Sequence, residues 1–208
     1  MLFLDELPEF KKNVLESLRQ PIEDGVVTIS RAAITLSFPA RFTLVAAQNP
    51  CPCGHLGDSR NKCSCLPSQI IRYRNRISGP LLDRIDIQIE VPAVPYSELS
   101  HARRGENSAT IRKRVIRARK IQEQRFRDLS IHCNSQMSSK ELRFFCKLSE
   151  ENRSFLEAVA NKLALSARAF HRIIKIGRTI ADIEESNTVT MAHLSEAVQY
   201  RSLDRERI

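Results

Sequence analysis

Hydrophobic positions in the first half of the chain predict short strands. Residues 2–4 form a continuous apolar run, which is typical of a parallel strand that is covered on both faces. Residues 42–47 predict a second buried strand of the same kind. Between the two, apolar residues alternate with polar ones over 27–38, and this pattern predicts a hairpin with Arg31 near its turn. Residues 85–91 alternate in the same way and predict a further strand.

Helical patterns fill most of the remaining sequence. Apolar residues recur at helical spacing over 10–20, and Pro21 and Gly25 are expected to end that helix. A basic helix at 68–77 and a short helical turn at 80–84 follow. The predicted helices of the second half are one that begins near Asn107 and runs to about residue 126, and those at 139–147, 149–163, 167–184 and 191–200, with Ser166 and Thr190 as N-caps.

These elements predict an α/β part followed by an all-α part. The boundary is expected near Pro95, which divides the chain into domains at 1–95 and 96–208. With 208 residues, 42% of them hydrophobic and 27% charged, the composition is ordinary for a globular protein. No apolar stretch reaches the length of a membrane span and no signal-peptide pattern opens the sequence, so a cytoplasmic location is expected.

The charge balance points to an anionic partner. The formal net charge is +9 and the pI is about 9.6, which favours nucleic acid or nucleotide phosphate. Residues 112–127 carry eight lysines and arginines against one acid, Glu123. Such a segment either contacts phosphates or forms a solvated helix face, and the sequence leaves both interpretations open.

Polar residues follow both predicted parallel strands. Asp5 and Glu6 come directly after the first strand, at the carboxyl end where open α/β sheets hold ligands. There an aspartate can hold Mg²⁺ through water and the next carboxylate can orient an attacking water. Asn49 follows the second strand and would lie beside the acids if the two strands pair. The alternatives are a helix N-cap for the acids and a turn signal for Asn49.

Two arginines stand where they suit a phosphate. Arg84 ends the short helical turn at 80–84, and its guanidinium is a permanently charged bidentate donor. A salt bridge to Asp83 or Asp86 is the alternative for this residue. Arg168 lies at the start of a long predicted helix, where its charge and the helix N-terminus can both face an anion.

Four of the six cysteines are clustered within fifteen residues. Cys51, Cys53, Cys63 and Cys65 can satisfy a tetrahedral Zn²⁺, and His55 could replace one thiolate. Two Cys-X-Cys pairs place some strain on one shared ion, so a reduced loop without metal is the alternative. Four protein ligands would leave no open position, which favours a structural zinc over a catalytic one.

The order of these motifs resembles the magnesium-chelatase-like AAA+ ATPases of the ComM and YifB type. The stretches LFLDE, VAAQNP, NPCPCG, RISGPLLDRID and SARAFHRIIKIGRTIAD carry the resemblance, which covers essentially the whole chain. It implies the C-terminal half of a P-loop NTPase core with a hairpin before sensor 1, followed by an α-helical lid. It also implies ATP and Mg²⁺ as cofactors. The roles it implies are Walker B for Asp5 and Glu6, sensor 1 for Asn49, an arginine finger for Arg84 and sensor 2 for Arg168.

The same resemblance implies partners and an activity. The hairpin would project into the pore of a homo-hexameric ring, where Arg31 would contact DNA or another threaded partner. The implied function is an ATP-driven motor for branch migration during recombination of incoming DNA. Two other functions stay open: a chelatase-type subunit that drives magnesium insertion into a porphyrin, and a non-enzymatic zinc module that binds DNA.

One element of a nucleotide site has no counterpart in the 208 residues. A phosphate-binding G-x-x-x-x-G-K-[ST] loop does not occur in them. We therefore expect the chain to be the C-terminal piece of a longer protein, beginning at the Walker B strand, and to be inactive as an ATPase by itself.

Overall fold

The structure is a computed structural model that describes residues 1–31, 34–58, 60–92 and 105–201. The chain forms two compact units, Met1–Ile85 and Asp86–Ile208, and each is described by itself. The domain boundary predicted near Pro95 falls outside the described residues. No helix in the described ranges is both long and apolar enough to cross a membrane.

A two-stranded parallel sheet opens the first unit. Strands β1 (Leu2–Leu4) and β4 (Leu44–Ala46) pair in register, which confirms both strands and their pairing. The prediction that both faces are covered was wrong. Phe3 and its register partner Val45 are 59% and 40% exposed. Successive side chains point to opposite faces, so only the Leu4 side of this strand packs on the core.

An antiparallel hairpin lies between these two strands in the sequence. It consists of β2 (Val26–Arg31) and β3 (Ile34–Pro39), as the alternating pattern predicted. Hydroxyl groups form one face, with Thr28 and Ser37 bonded at 3.1 Å. Arg31 is the last described residue before the tip, and residues 32–33 lie outside the described ranges.

The helix predicted at 10–20 is divided in two. Helix α1 (Lys12–Ser17) is followed at once by α2 (Arg19–Asp24), and Pro21 lies inside α2 instead of ending it. Pro21 has no N–H for the carbonyl of Ser17 and its ring crowds that carbonyl, so the break falls one turn earlier. Gly25 ends α2 with a φ of 67°, as predicted for a glycine stop.

The core of the first unit is small. Helices α3 (Pro67–Arg74) and α4 (Gly79–Leu82) follow the cysteine loop, close to the predicted bounds. The buried cluster comprises Leu7, Leu15, Ile77 and Leu81. It brings together the segment after β1, helix α1, the residues after α3 and helix α4. The segment after β1 is a 3₁₀ turn at Leu7–Glu9, which the sequence did not predict.

The prediction of a strand at 85–91 was wrong. Within the described residues 85–92, Gln88 alone forms a bridge, with Arg201. The Gln88 N–H donates to the carbonyl of Tyr200 at 2.7 Å, whereas Ile87 and Ile89 are 52% and 68% exposed. An alternating sequence becomes a strand only where a neighbour pairs with several successive residues, and here one residue is paired.

The second unit is helical, as predicted. Its helices are α5 (Ser108–Arg125), α6 (Ser139–Phe145), α7 (Glu150–Lys162), α8 (Ala167–Ile183) and α9 (Met191–Gln199), with a 3₁₀ turn at Asn134–Gln136. Predicted N-caps are confirmed: Asn107 accepts from the Thr110 N–H at 2.9 Å, and Ser166 from the Ala169 N–H at 3.2 Å.

Helix α8 is the centre of this second unit. Its Ile173 is fully buried, and a side chain at Gly177 would come within 3.0 Å of Leu194 in α9. Glycine therefore permits the close approach of the two helices. Asp182 is also fully buried and accepts from Arg125 and Arg178, so the charge is paired inside the core.

Candidate functional site

The acid pair lies where the polypeptide leaves β1. Asp5 is exposed, and its Oδ1 accepts from the N–H of Glu6 at 2.9 Å. Glu6 is in the left-handed region, with φ of 51° and ψ of 48°. This conformation costs a non-glycine residue about 1–2 kcal/mol and is concentrated at functional sites. Ala164 and Glu185 share this conformation, so the role of Glu6 stays a prediction.

The loops that contain Asn49 and the acid pair begin at the same end of the sheet, which is the carboxyl end of its two parallel strands. The Ala47 N–H donates to the Leu4 carbonyl and the Leu7 N–H donates to the Ala47 carbonyl, both at 2.9 Å. The parallel ladder thus continues beyond both strands and holds the two loops side by side. The structure brings together the two predicted segments that contain Asp5, Glu6 and Asn49, although it tests no catalytic role for them.

This edge has the chemistry that magnesium requires. Mg²⁺ takes oxygen ligands and keeps several waters, so one or two carboxylates plus substrate phosphates suffice. Asp5 and Glu6 are both exposed, and within the described part of the chain neither carboxylate forms an ion pair with lysine or arginine. The residues present therefore fit an ion shared with a nucleotide.

Helix α3 contacts both loops of this edge, which the sequence did not predict. Tyr73 is 7% exposed, and burial and the Glu9 carboxylate raise its pKa. A hydrogen bond from the Asn49 backbone acts in the opposite direction and lowers that pKa. Arg76, just beyond α3, donates to the Pro8 carbonyl at 3.2 Å and to Glu9 at 2.8 Å. One sequence signal was available: Tyr73 is the only aromatic residue in 43–95.

Arg84 lies against the first unit's own surface. Its guanidinium donates to the Pro80 carbonyl at 2.7 Å and to the carboxylate of Glu23 in α2. The side chain is 10% exposed. From the sequence, the alternative for Arg84 was a salt bridge to Asp83 or Asp86. In the structure Arg84 forms a salt bridge with Glu23. Its role as an arginine finger stays a prediction.

The other two predicted arginines are exposed. Arg31 ends β2 beside the hairpin tip, and Arg168 is the second residue of α8. Each position agrees with the placement expected from the sequence, at a hairpin tip and in the first turn of a helix. Their assignments to DNA and to nucleotide stay predictions.

The four clustered cysteines converge on one point. Their Sγ atoms all lie within 4.8 Å of one another. The Sγ of Cys51 is 3.4 Å from that of Cys53 and 3.7 Å from that of Cys63. Zinc–sulfur bonds of about 2.3 Å in a tetrahedron place the sulfurs about 3.8 Å apart. The donor set and its spacing therefore fit a tetrathiolate zinc.

The loop geometry explains how two Cys-X-Cys pairs meet. Gly54 and Gly57 have φ values of 80° and 83°, which glycine adopts without strain. His55 lies with Asp58, its Nδ1 being 3.6 Å from the carboxylate. Among the described residues, the group with ligand atoms at mutual metal-binding distance consists of the four cysteines, without His55.

The thiols of this cluster differ in acidity. Backbone hydrogen bonds from His55 and Ser64 lower the pKa of Cys53 to about 5. Burial, together with Cys53, raises the pKa of Cys65 to about 12. A metal ion binds thiolates, so Cys65 needs the charge of a cation to lose its proton at neutral pH.

Parallel strands ending in acids and an amide, an intervening hairpin and a helical second unit define an AAA+ core segment with its lid. The chain belongs to the magnesium chelatase family. Residues 1–99 match the family described as magnesium chelatase, subunit ChlI, and residues 105–201 match its C-terminal family.

Relatives match along nearly the whole chain. The chain is 49% identical to the competence protein ComM of Haemophilus influenzae over 206 residues, which is 99% of this chain and 39% of that protein. It is 48% identical to YifB of Escherichia coli, again over 99% of this chain and 40% of that protein. Protein Mb2921c of Mycobacterium bovis is 32% identical over 100% of this chain and 41% of its own length. The chain thus spans about two fifths of these relatives.

Proposed function

We propose that the chain is part of an ATP-driven motor that acts on DNA in the cytoplasm as a homo-hexameric ring. One observation carries the proposal: hydrogen bonds beyond the β1–β4 ladder hold side by side the two segments that contain the acid pair and Asn49. Carboxylates beside a polar amide are the groups that hold magnesium and orient water in phosphoryl transfer.

In this proposal each residue has a defined task. Asp5 holds Mg²⁺, Glu6 orients and deprotonates the attacking water, and Asn49 positions the water or the γ-phosphate. Magnesium, when bound, would neutralise part of the negative charge of the phosphates. Arg84 and Arg168 supply fixed positive charge toward the phosphates, Arg84 from a neighbouring subunit. The pairing of Arg84 with Glu23 must then open when the ring assembles.

DNA is the proposed partner because of charge. The net charge of +9 favours a polyanion, and α5 has a basic surface with an exposed Arg112 and Arg119. Arg31 is exposed next to the hairpin tip, where it can contact a threaded strand. One relative is named a competence protein, and this supports a role in branch migration during recombination of incoming DNA.

We also propose that Cys51, Cys53, Cys63 and Cys65 bind one structural Zn²⁺. The sulfur spacing supports this, as does a donor set of four cysteines in one loop. With four protein ligands, the ion has no open position for substrate. It would hold the loop closed.

A chelatase-type subunit is the second candidate, because both family matches are described as magnesium chelatase. The two functions are separated by ATPase assays on the intact protein that contains this chain. The motor predicts stimulation by DNA and loss of turnover with Glu6→Gln. Stimulation by a porphyrin-binding partner instead would favour the chelatase. DNA binding that needs zinc but no nucleotide, without any hydrolysis, would favour a non-enzymatic module.

A further inference from the structure

We propose that a basic groove between residues 8–12 and helix α3 binds the backbone of a single DNA strand, with Phe10 as a stacking surface for its bases. This groove is a DNA contact in addition to the hairpin at Arg31. Its role rests on the proposed action on DNA, whereas the binding itself is measured without any ATPase activity.

The groove is a concave surface of the first unit. Residues 8–12 line it together with Arg72 in α3 and Arg76 just beyond that helix, and its volume is about 840 Å³. A neighbouring cavity of about 480 Å³ shares the two arginines and reaches Cys65 in the cysteine loop. Four thiolates around a zinc ion carry net negative charge, so phosphates are expected in the larger groove only.

The groove is strongly basic. Lys11, Lys12, Arg72 and Arg76 line it, against one carboxylate, that of Glu9. Arg76 donates to Glu9 at 2.8 Å and is thereby neutralised. The other three cations are exposed, and none of them forms a salt bridge within the described part of the chain. Like charges held around one concave surface favour a polyanion, because its phosphates neutralise them and release counterions.

Phe10 gives the groove the second feature of a single-strand site. It lines the same groove and is 38% exposed, beside Ile71, which is 59% exposed. Proteins that bind single strands combine a positive groove with aromatic side chains on which bases stack. Inorganic phosphate or an acidic peptide would use the cations but would leave the ring without a planar partner. The combination therefore favours a strand that carries bases.

The two walls of the groove are fixed to each other. Arg76 donates to the Pro8 carbonyl at 3.2 Å, and its Cζ lies 6.0 Å from the ring centre of the buried Tyr73. Ile77 and Leu7 pack in the same buried cluster. The groove is thus formed without a ligand, which lowers the entropic cost of binding.

Charge removal tests the backbone contacts. The probe is a fluorescein-labelled strand of about ten thymidines, whose anisotropy reports binding to the 208-residue chain at a series of salt concentrations. Lys12→Ala combined with Arg72→Ala should weaken binding about tenfold at low salt. It should also reduce the slope of log K against log salt by about 1.4, since each phosphate contact on a single strand contributes about 0.7.

Lys140→Ala combined with Arg143→Ala is the matched control. It removes the same charge from exposed residues of α6 and should leave affinity and slope nearly unchanged. Unchanged thermal unfolding verifies that both double variants are folded. Equal losses in the two double variants would mean that net charge alone attracts the strand, and would overturn the proposal. Absence of binding by the wild type at low salt would overturn it as well.

Removal of the ring tests stacking. Phe10→Leu keeps an apolar side chain, so it should weaken binding of the thymidine strand about fivefold and leave binding of an abasic strand of the same length unchanged. Phe144→Leu, at a phenylalanine that is 67% exposed in α6, should behave as the wild type. If the wild type binds the abasic and thymidine strands equally, the groove attracts any polyanion and the proposal is overturned.

The groove and the proposed function fail in different ways. If the groove variants bind the strand as the wild type does while DNA still stimulates ATP hydrolysis in the intact protein that contains this chain, the groove is wrong and the function stands. If the binding effects are found but the intact protein hydrolyses no ATP, the proposed function fails and the groove stands.

Discussion

Arg84 and Glu23 form an ion pair that joins the short helix α4 region to α2 across 61 residues of sequence. The guanidinium is largely buried, with 10% of the side chain exposed, and the carboxylate is 32% exposed. The pair is a contact of the first unit's fold, and the proposed role of Arg84 in a neighbouring subunit requires it to open.

We expect Glu23→Ala to destabilise the first unit by about 1–3 kcal/mol, because it removes a charged partner from a buried guanidinium. Urea unfolding of the 208-residue chain measures the effect. Asp24→Ala, the exposed acid next in sequence, is the control and should change stability by about 0.5 kcal/mol or less. Equal losses in both variants would mean that the pair contributes nothing specific.

The contact of Arg84 also shows the limits of prediction from sequence. The parallel pair, the hairpin, the helices of the second unit and their N-caps follow from local patterns, and all were confirmed. Glu23 could not be chosen over nearer acids, because the pairing depends on how α2 packs. The same holds for Arg76, whose bond to the Pro8 carbonyl depends on how the end of α3 packs.

Where local pattern misled, a missing neighbour was the reason. Residues 85–91 alternate like a strand but only Gln88 is paired. Phe3 looks like a buried strand residue, yet its face of the sheet is exposed in this chain. Hydrophobic periodicity shows which face of a segment could be buried. Whether that face is buried depends on whether another strand or helix packs against it. The convergence of the four cysteines was easier to predict, because thiol ligands at this spacing in the sequence are typical of a metal site.

A second prediction concerns the left-handed residue in the acid pair. Glu6→Gly should raise the stability of the chain by about 1 kcal/mol, since glycine adopts a φ of 51° without strain. Ala164→Gly, at a φ of 46° in the second unit, should give a similar gain and serves as the control. Thermal unfolding measures both. In the intact protein, Glu6→Gly should abolish ATP hydrolysis and Ala164→Gly should not. A variant at Glu6 that lowers stability would show that its side chain, not function, selects the conformation.

A third prediction concerns metal content. Protein purified without chelator should contain about one zinc per chain, and its four clustered thiols should resist titration until the metal is removed. Cys63→Ser should lower the zinc content, whereas Cys133→Ser, at a cysteine outside the cluster, should leave it unchanged. Metal-free protein with four freely reactive thiols in the folded state would contradict the zinc site.

A fourth prediction concerns the hairpin. Arg31→Ala in the intact protein should weaken the stimulation of ATPase by DNA and leave basal hydrolysis nearly intact. The reason is that Arg31 is exposed and is not among the residues proposed to bind the nucleotide. Arg60→Ala, another exposed arginine, is a charge-matched control that should preserve stimulation. An equal loss of basal and stimulated rates would assign Arg31 to the fold or the nucleotide site and end the pore assignment.

The last prediction concerns the 208 residues by themselves. They contain the acids proposed to hold magnesium and orient water, but no G-x-x-x-x-G-K-[ST] sequence to hold the β- and γ-phosphates. Phosphoryl transfer depends almost wholly on positioning and electrostatic stabilisation, so carboxylates without a positioned phosphate have nothing to act on.

We therefore expect the purified chain to bind ATP weakly and to hydrolyse it no faster than background. A longer protein that adds a phosphate-binding loop should hydrolyse ATP and lose that activity with Glu6→Gln or Arg84→Ala. Mixing Glu6→Gln and Arg84→Ala subunits tests where Arg84 acts, because activity in the mixture but in neither variant alone requires it to act across a subunit interface. Turnover by the 208-residue chain that Glu6→Gln abolishes would show that the missing loop is not needed, and would contradict this interpretation of the site.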